Sequence, residues 1–571
     1  MPASLSQRSF GRPSGLLPRR LLCLALSVAL TCTARVGVAQ ETAPPRLPAL
    51  GDAATEDLSI GDERRLGEQI MREARRDPAV LDDPVLLAYV QSLWQPLVQA
   101  ARARGDIDAT LERQFPWEIF LVRDRSVNAF ALPGGYVGVH LGLIAITNNR
   151  DQLASVLAHE LSHVTQRHIA RSIGNARSTS LVGIAALLLG ILAASRSGNI
   201  DAANAAIMGG QGAMVQGQLN FSREMEREAD RIGYSVLGGG GFAAGGMSQM
   251  FERLQGNAAV SDSGAFPYLR THPLTIERIS EARNRMLLAG SEAVPKPTVL
   301  HAMMQARARV LMDKSPQALQ RLAGGATSSN WAGDRIAALY AASLAQAQLG
   351  QGLAAEDLAQ QALRQTLALP MREPGAERAL ALMQAEARLA AGDGAGAWRL
   401  LEATDSAGSA AAGSTAGTGG SAAAPADPGA RFAGPGDRSL LALRAQAALK
   451  WNERDARSAV AAVRASTESL QTWLAEHGQD AQAWELLAGT ADALGQRLRS
   501  LRAAAESRAA VGDLTGAIDR LRSAQASARG PAAAAGGGDF IDASIIDTRL
   551  RQLVEERRLL AIEARNRSEG R

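Results

Sequence analysis

The pentapeptide His159-Glu160-Leu161-Ser162-His163 constrains this chain more than any other stretch. A helix turns about 100° per residue, so positions four apart share a face. On a helix His159 and His163 point two imidazoles at one metal ion, and Glu160 lies where it can take a proton from water beside that ion. Leu153, Val156, Leu157, Leu161 and Val164 form an apolar stripe offset from the histidines, which predicts a buried amphipathic helix over residues 151–170. Two histidines do not complete a catalytic metal site. A third protein ligand must come from elsewhere in the fold.

Spacing narrows the choice of that ligand. A third histidine ten residues after the first is excluded, because Ile169 stands there. His168 lies about 180° around a continuous helix and reads as a surface or supporting histidine. The run Ser222 to Asp230 is the better source: Glu226 and Asp230 stand four apart on one helical face. Glu226 can bind the metal while Asp230 accepts the free N–H of His159. Glu224 and Glu228 are alternatives within the run, and a solvated charged face is the plainer reading of all of them.

The first 39 residues have the pattern of a secretory signal peptide, with Arg19-Arg20, an apolar stretch Leu21 to Leu30 and small residues up to a cleavage site near Ala39/Gln40. Its five arginines leave 56 basic against 57 acidic residues, so a mature chain carries −1 and loses the charge that nucleic-acid binding requires. Both cysteines, Cys23 and Cys32, leave with it, which excludes disulfides, thiol catalysis and cysteine-ligated zinc.

Residues 40–55 read as a mobile Pro/Ala-rich segment. Ile60 to Arg104 is helical in pattern, Trp117 to Val122 alternates like a strand, and Pro133-Gly134-Gly135 separates two strand-like runs between Val127 and Leu143. The uncharged run 181–194 is shorter than the ~20 residues of a bilayer span. It reads as a buried helix or as a segment making peripheral contact with membrane or client protein. Residues 196–219 read as a lid or loop. From about Pro297 the texture is Ala/Leu/Arg-rich helix with glycine turns at Gly350, Gly392 and Gly512, the pattern of an α-helical, tetratricopeptide-like solenoid over 297–571. Residues 404–436 read as a disordered low-complexity insertion, with a shorter break at 529–538.

The HELSH motif, Glu226 to Asp230, Asn128 to Gly135 and Thr271-His272-Pro273-Leu274 together resemble the gluzincin metallopeptidases of the CAAX-prenyl endopeptidase and heat-shock membrane protease type. The signal peptide and helical repeats resemble the periplasmic branch of that family, which serves β-barrel assembly. The resemblance implies a mainly α protein, with a zincin-like α+β metallopeptidase domain over 56–290 ahead of the repeats. It implies one zinc ion per chain on His159, His163 and Glu226, Glu160 as general base, Asp230 in support, and His272 on a loop that can take the water position. A His-Pro turn without metal contact is the plainer reading of His272. Asn128, Ala129, Phe130, Ala131, Gly134 and Gly135 are expected along the cleft as an edge that pairs with an extended substrate, or else as plain core strand. Arg278 is expected to steady an oxyanion or the loop, or to form an ordinary salt bridge. The implied function is periplasmic proteolysis of misfolded or stalled outer-membrane β-barrel proteins, with the repeats docking clients or the assembly machinery. A chaperone or adaptor with a largely self-inhibited zinc site is the other function the sequence allows.

Overall fold

A computed structural model describes residues 58–175, 222–260, 266–289, 294–325, 329–415, 432, 437–528 and 539–569. The expected signal peptide, the segment 40–55 and the runs 181–194, 196–219 and 529–538 lie outside the described residues.

The N-terminal half begins with α1 (Ile60–Ala74), capped by the Ser59 hydroxyl on the Asp62 N–H. A two-residue strand β1 (Val80–Leu81) follows, then α2 (Pro84–Arg104), whose start is set by the Asp83 cap and Pro84 at the first helical position. The single helical pattern expected from Ile60 to Arg104 is therefore two helices with a strand between them. After α3 (Ala109–Gln114) come β2 (Glu118–Val122), β3 (Ala129–Leu132) and β4 (Tyr136–His140). The sheet order is β1-β2-β4-β3, with β2 and β4 parallel and β3 and β4 an antiparallel hairpin. Gly134 and Gly135, at φ 78° and 93°, make the hairpin turn that a side chain would strain.

β3 is thus an edge strand. The His140 N–H donates to the Asn128 carbonyl at 3.1 Å, which fixes the phase of the ladder: Phe130 and Leu132 pair with β4, and the main-chain groups of Ala129 and Ala131 face the free edge. Gly134 and Gly135 do not belong to that edge. Their turn is buried beneath α1, with Pro133 against Gly67 and Gly134 against Arg64, which corrects the expectation that they line a cleft.

Helices α4 (Leu141–Ile146), α5 (Arg150–Thr165), α6 (His168–Asn175), α7 (Arg223–Gly239), α8 (Gly245–Val260), α9 (Pro267–Thr271) and α10 (Ile276–Ala289) complete this half. The helix α5 carries HELSH and packs between the sheet, α7 and α8, so nearly every one of its residues is buried.

Helices then follow in succession: α11 (Val299–Met312), α12 (Pro316–Leu322), α13 (Ala332–Gln348), α14 (Gly352–Leu367), α15 (Pro374–Ala390), α16 (Gly394–Thr415), α17 (Arg438–Arg454), α18 (Ala456–Glu476), α19 (Ala481–Ala493), α20 (Arg497–Ala510), α21 (Leu514–Ala528) and α22 (Asp539–Glu569). Turn chemistry repeats: Asp393 accepts from the Gly396 N–H at 2.8 Å and Asp513 from the Gly516 N–H at 2.9 Å, each starting the next helix. α16 runs on to Thr415, into the segment expected to be a disordered insertion, because its alanines favour helix. Residues 416–431 lie outside the described residues.

One continuous apolar core links the halves, from Leu86, Leu93 and Trp94 through Met303 and Met304 to Leu380 and Met383. Buried polar groups cross the same boundary. Arg307 of α11 forks onto Asp83 at 2.8 Å through two nitrogens and also reaches Glu386 at 2.6 Å and the Tyr340 hydroxyl at 3.0 Å. Arg438 of α17 forks onto Asp82 at 2.5 and 2.7 Å and onto Asp480 at 2.6 and 2.8 Å. His301 of α11 joins the Tyr89 hydroxyl at 2.6 Å to Thr147 at 3.1 Å.

Replacing Asp83 with alanine removes a helix cap and one carboxylate from a buried arginine, a combination that costs about 3–5 kcal/mol. The melting midpoint followed by circular dichroism is expected to fall accordingly, while exposed Glu73→Ala leaves it within a degree or two. Burial pushes His301 down to about 4, with the Thr147 carbonyl acting the other way. The unfolded chain then binds the extra proton between about pH 6.5 and 4. Stability from this group is complete above 6.5 and falls by about 1.4 kcal/mol per pH unit below it. Denaturant unfolding at pH 7 and pH 5 should show a smaller pH loss in His301→Gln than in the parent.

Candidate metal centre

Helices α5 and α7 cross closely because α7 has glycine at position 233. A side chain there would press on the Ala158 carbonyl and the His159 N–H, each 3.2 Å from where its Cβ would sit. Gly233 lies on the face of Glu226 and Asp230, so the approach carries both carboxylates to the histidines. The distances are short. Nε2 of His163 is 3.0 Å from Nε2 of His159, and Oε1 and Oε2 of Glu226 lie 3.5 Å from His163 and His159 respectively. Nδ1 of His272 is 3.3 Å from His159 Nε2 and 3.0 Å from Glu226 Oε1. All four side chains are buried, and one donor atom from each falls within 4.8 Å of the others.

Three nitrogens and a carboxylate oxygen at these separations suit zinc. A tetrahedral ion with bonds of about 2.0–2.1 Å has ligand–ligand edges of about 3.3 Å. Two imidazole lone pairs 3.0 Å apart repel unless a proton or a cation lies between them.

Glu160 sits beside this set, completely buried, with Oε1 3.6 Å from His272 Nε2. Its two oxygens have no hydrogen-bond donor in bonding geometry among the described residues. Burial raises its pKa, and nearby His272, His159 and the edge N–H of Ala131 act against that rise. Asp230 Oδ1 lies 3.0 Å from His159 Nδ1. Burial lowers the His159 pKa, but Asp230 and Glu226 outweigh it and lift the ring to about 9. His163 is held well below the usual histidine range by burial and by the positive charge of His159. Burial opposes ionisation of Glu226 as well, yet His272 and His159 keep it far below the ordinary carboxylate range.

Arg278 is an internal salt bridge and an anchor. It forks onto Asp230 at 2.7 and 2.9 Å, meets Glu226 at 2.7 Å and donates to the Pro273 carbonyl at 2.9 Å. That last bond holds the loop behind His272, whose own N–H donates to the Tyr268 carbonyl at 2.8 Å. Of the alternative carboxylates, Glu224 is exposed and Glu228 binds His168 and Arg171.

Two features are absent from the sequence expectations. Tyr268 stacks on His272 with ring centres 4.6 Å apart, a contact that its four-residue spacing from His272 would have suggested. The HELSH helix also stops short. Arg167 has φ 52°, so α5 ends at Thr165 and a new helix starts at His168. The rotation of about 180° expected for His168 does not apply. Its ring turns back to lie 2.9 Å from His163, buried rather than at the surface.

Residues 88–286 match the family model of peptidase family M48. Over 270 residues the chain is 40% identical to the putative beta-barrel assembly-enhancing protease of Vibrio cholerae serotype O1, which covers 47% of this chain and 52% of that protein. It is 36% identical over 263 residues to the beta-barrel assembly-enhancing protease of Escherichia coli strain K12, covering 46% of this chain and 51% of that one. Against the mitochondrial metalloendopeptidase OMA1 of Saccharomyces cerevisiae it is 31% identical over 230 residues, 39% of this chain and 61% of the relative. The chain spans about half the length of the beta-barrel assembly-enhancing proteases it matches. The segment that matches the family model contains every convergent side chain described above.

Proposed function

We propose that this chain is a zinc-dependent metalloendopeptidase of the bacterial periplasm that acts on misfolded or stalled outer-membrane β-barrel proteins. The observation that carries this reading is the convergence of His159, His163 and Glu226 on one point with Glu160 unbonded beside it. The chemistry zinc supplies there is Lewis acidity toward a peptide carbonyl and a water molecule. Glu160 takes the proton from that water and returns it to the departing amine, so one carboxylate serves as base and then acid. Its burial favours the protonated form that the second role needs. Asp230 fixes the tautomer of His159. The main-chain groups of Ala129 and Ala131 that point away from β4 offer an extended peptide an added-strand seat, with the Ala131 N–H directed at Glu160, which suits unfolded segments of varied sequence.

The names of the relatives point to β-barrel assembly. The helical hairpins, read as tetratricopeptide-type repeats, give the chain a surface for clients or for the assembly machinery. No described helix is long and apolar enough to cross a membrane. The apolar run 181–194 is assigned to peripheral membrane or client contact.

A second reading rests on His272. Its Nδ1 already lies among the donor atoms, so the loop can fill the place that water needs and keep the site shut, leaving a chaperone or adaptor role to the repeats. Glu160→Gln separates the two. Peptidase function predicts cleavage of an unfolded β-barrel protein reduced about 10²–10⁴-fold, with uncleaved clients accumulating in cells. Full support of envelope integrity by that variant, with no change in client turnover, would establish the adaptor reading instead. His272→Ala is expected to raise cleavage if the loop blocks the water position, as measured by single-turnover kinetics on the same substrate.

A further inference from the structure

The imidazole of His163 is supported by a relay that nothing in the ligand set requires. Its Nε2 faces His159 and Glu226, and its Nδ1 faces away, 2.9 Å from Nδ1 of His168. The other nitrogen of His168 is 3.1 Å from Oε2 of Glu228, which Arg171 also holds at 2.9 Å. Proton bookkeeping leaves one arrangement. An imidazole offering its Nε2 lone pair to a cation carries its proton on Nδ1 and must donate from there. His168 Nδ1 is then the acceptor, so the His168 proton sits on Nε2 and is donated to Glu228. Each of the paired histidines thus has a carboxylate behind it: Asp230 directly behind His159, and Glu228 behind His163 through a second ring.

The backbone is bent to make this possible. On an unbroken α5, His168 would face away from the site. Arg167 instead adopts a left-handed conformation, φ 52°, in which a side chain's Cβ crowds the following carbonyl. It is held there by buried bonds from its guanidinium to Glu63 at 2.9 Å and to the Leu58 carbonyl at 2.6 Å. A histidine that merely filled core volume would need no such break.

We propose that His168 is a positioning residue that fixes the tautomer and ring orientation of His163, with Glu228 as its anchoring carboxylate, and so sets the affinity of the site for zinc. This inference rests on the reading of His159, His163 and Glu226 as zinc ligands.

The test uses the full chain, with zinc affinity measured by competition against a chromophoric chelator and ligand geometry read from the visible absorption of the cobalt(II) form. His168→Ala is expected to weaken zinc binding about 10–100-fold and to alter the cobalt spectrum. His168→Gln, whose amide can accept from His163 and donate to Glu228, should recover a large part of both. Glu228→Gln should weaken binding in the parent and add little on top of His168→Ala. Should His168→Ala fail to fold, as judged by its metal-free melting curve, His168→Gln and Glu228→Gln decide by the same readouts. Zinc affinity and cobalt spectra in the folded variants indistinguishable from the parent would overturn the relay while leaving the metal centre intact. Failure of the parent to bind zinc stoichiometrically would instead overturn the metal reading and the relay together.

Discussion

Burying several ionisable groups around one point is the constraint to which the N-terminal half answers. His159, His163, His272, Glu160 and Glu226 are all withdrawn from water, and each alone would favour its neutral form. Their neighbours impose the opposite, lifting His159 to about 9 and holding Glu226 ionised, while His163 stays neutral. Such a set is tolerable only if a fixed counter-charge surrounds it. Arg278 supplies one cation to Glu226 and Asp230, and the space among the four donors accommodates another. The close crossing of α5 and α7 at Gly233, the cap of α9 at His272 and the bend at Arg167 all hold these charges in register.

Much of this was legible in the chain because the signals were local. Histidines four apart predicted the helix and its shared face, and Glu226 and Asp230 at the same spacing predicted a second helix opposing it. Pro133-Gly134-Gly135 predicted the hairpin. What was not legible depends on partners distant in sequence. The break at Arg167 occurs at a residue with no turn propensity, and its holder Glu63 lies 104 positions away. Helical periodicity carried through that break puts His168 on the wrong side of the helix. Gly134 and Gly135 were assigned to a cleft because the turn was evident and the helix covering it was not. The Asp82-Asp83 pair gave no sign that each carboxylate would meet an arginine from the repeats.

That pair bears on how the two halves work together. Asp82 and Asp83 follow β1 directly, and β1 joins the sheet whose opposite edge is β3. The arginines of α11 and α17 therefore grip the same sheet whose opposite edge strand carries Ala129 and Ala131. On the function proposed above, a segment seated on the C-terminal helices and one paired with β3 would share one frame, so the gain from holding both would depend on the span between seats rather than on a flexible linker.

Magnitudes then distinguish the parts of this frame that resist motion from those that yield. Shifting the C-terminal helices against the sheet means separating Arg307 from Asp83 in the interior, worth about 3–5 kcal/mol once a buried charge is left unpaired, besides exposing apolar core. The loop carrying His272 is held by the Tyr268 carbonyl, by Arg278 on Pro273, by the Tyr268 N–H on Val127 at 3.3 Å and by His272 Nδ1 against Glu226 at 3.0 Å. Bonds of that kind contribute about 0.5–1.5 kcal/mol each, rising to about 3 for the one donated by arginine. Arg278 keeps its two carboxylates whether or not the loop stays. The His272 loop can thus leave the donor set at the cost of its own contact with Glu226 while Arg278 keeps its pairs to Glu226 and Asp230, and the C-terminal helices cannot shift without breaking their ion pairs to Asp82 and Asp83.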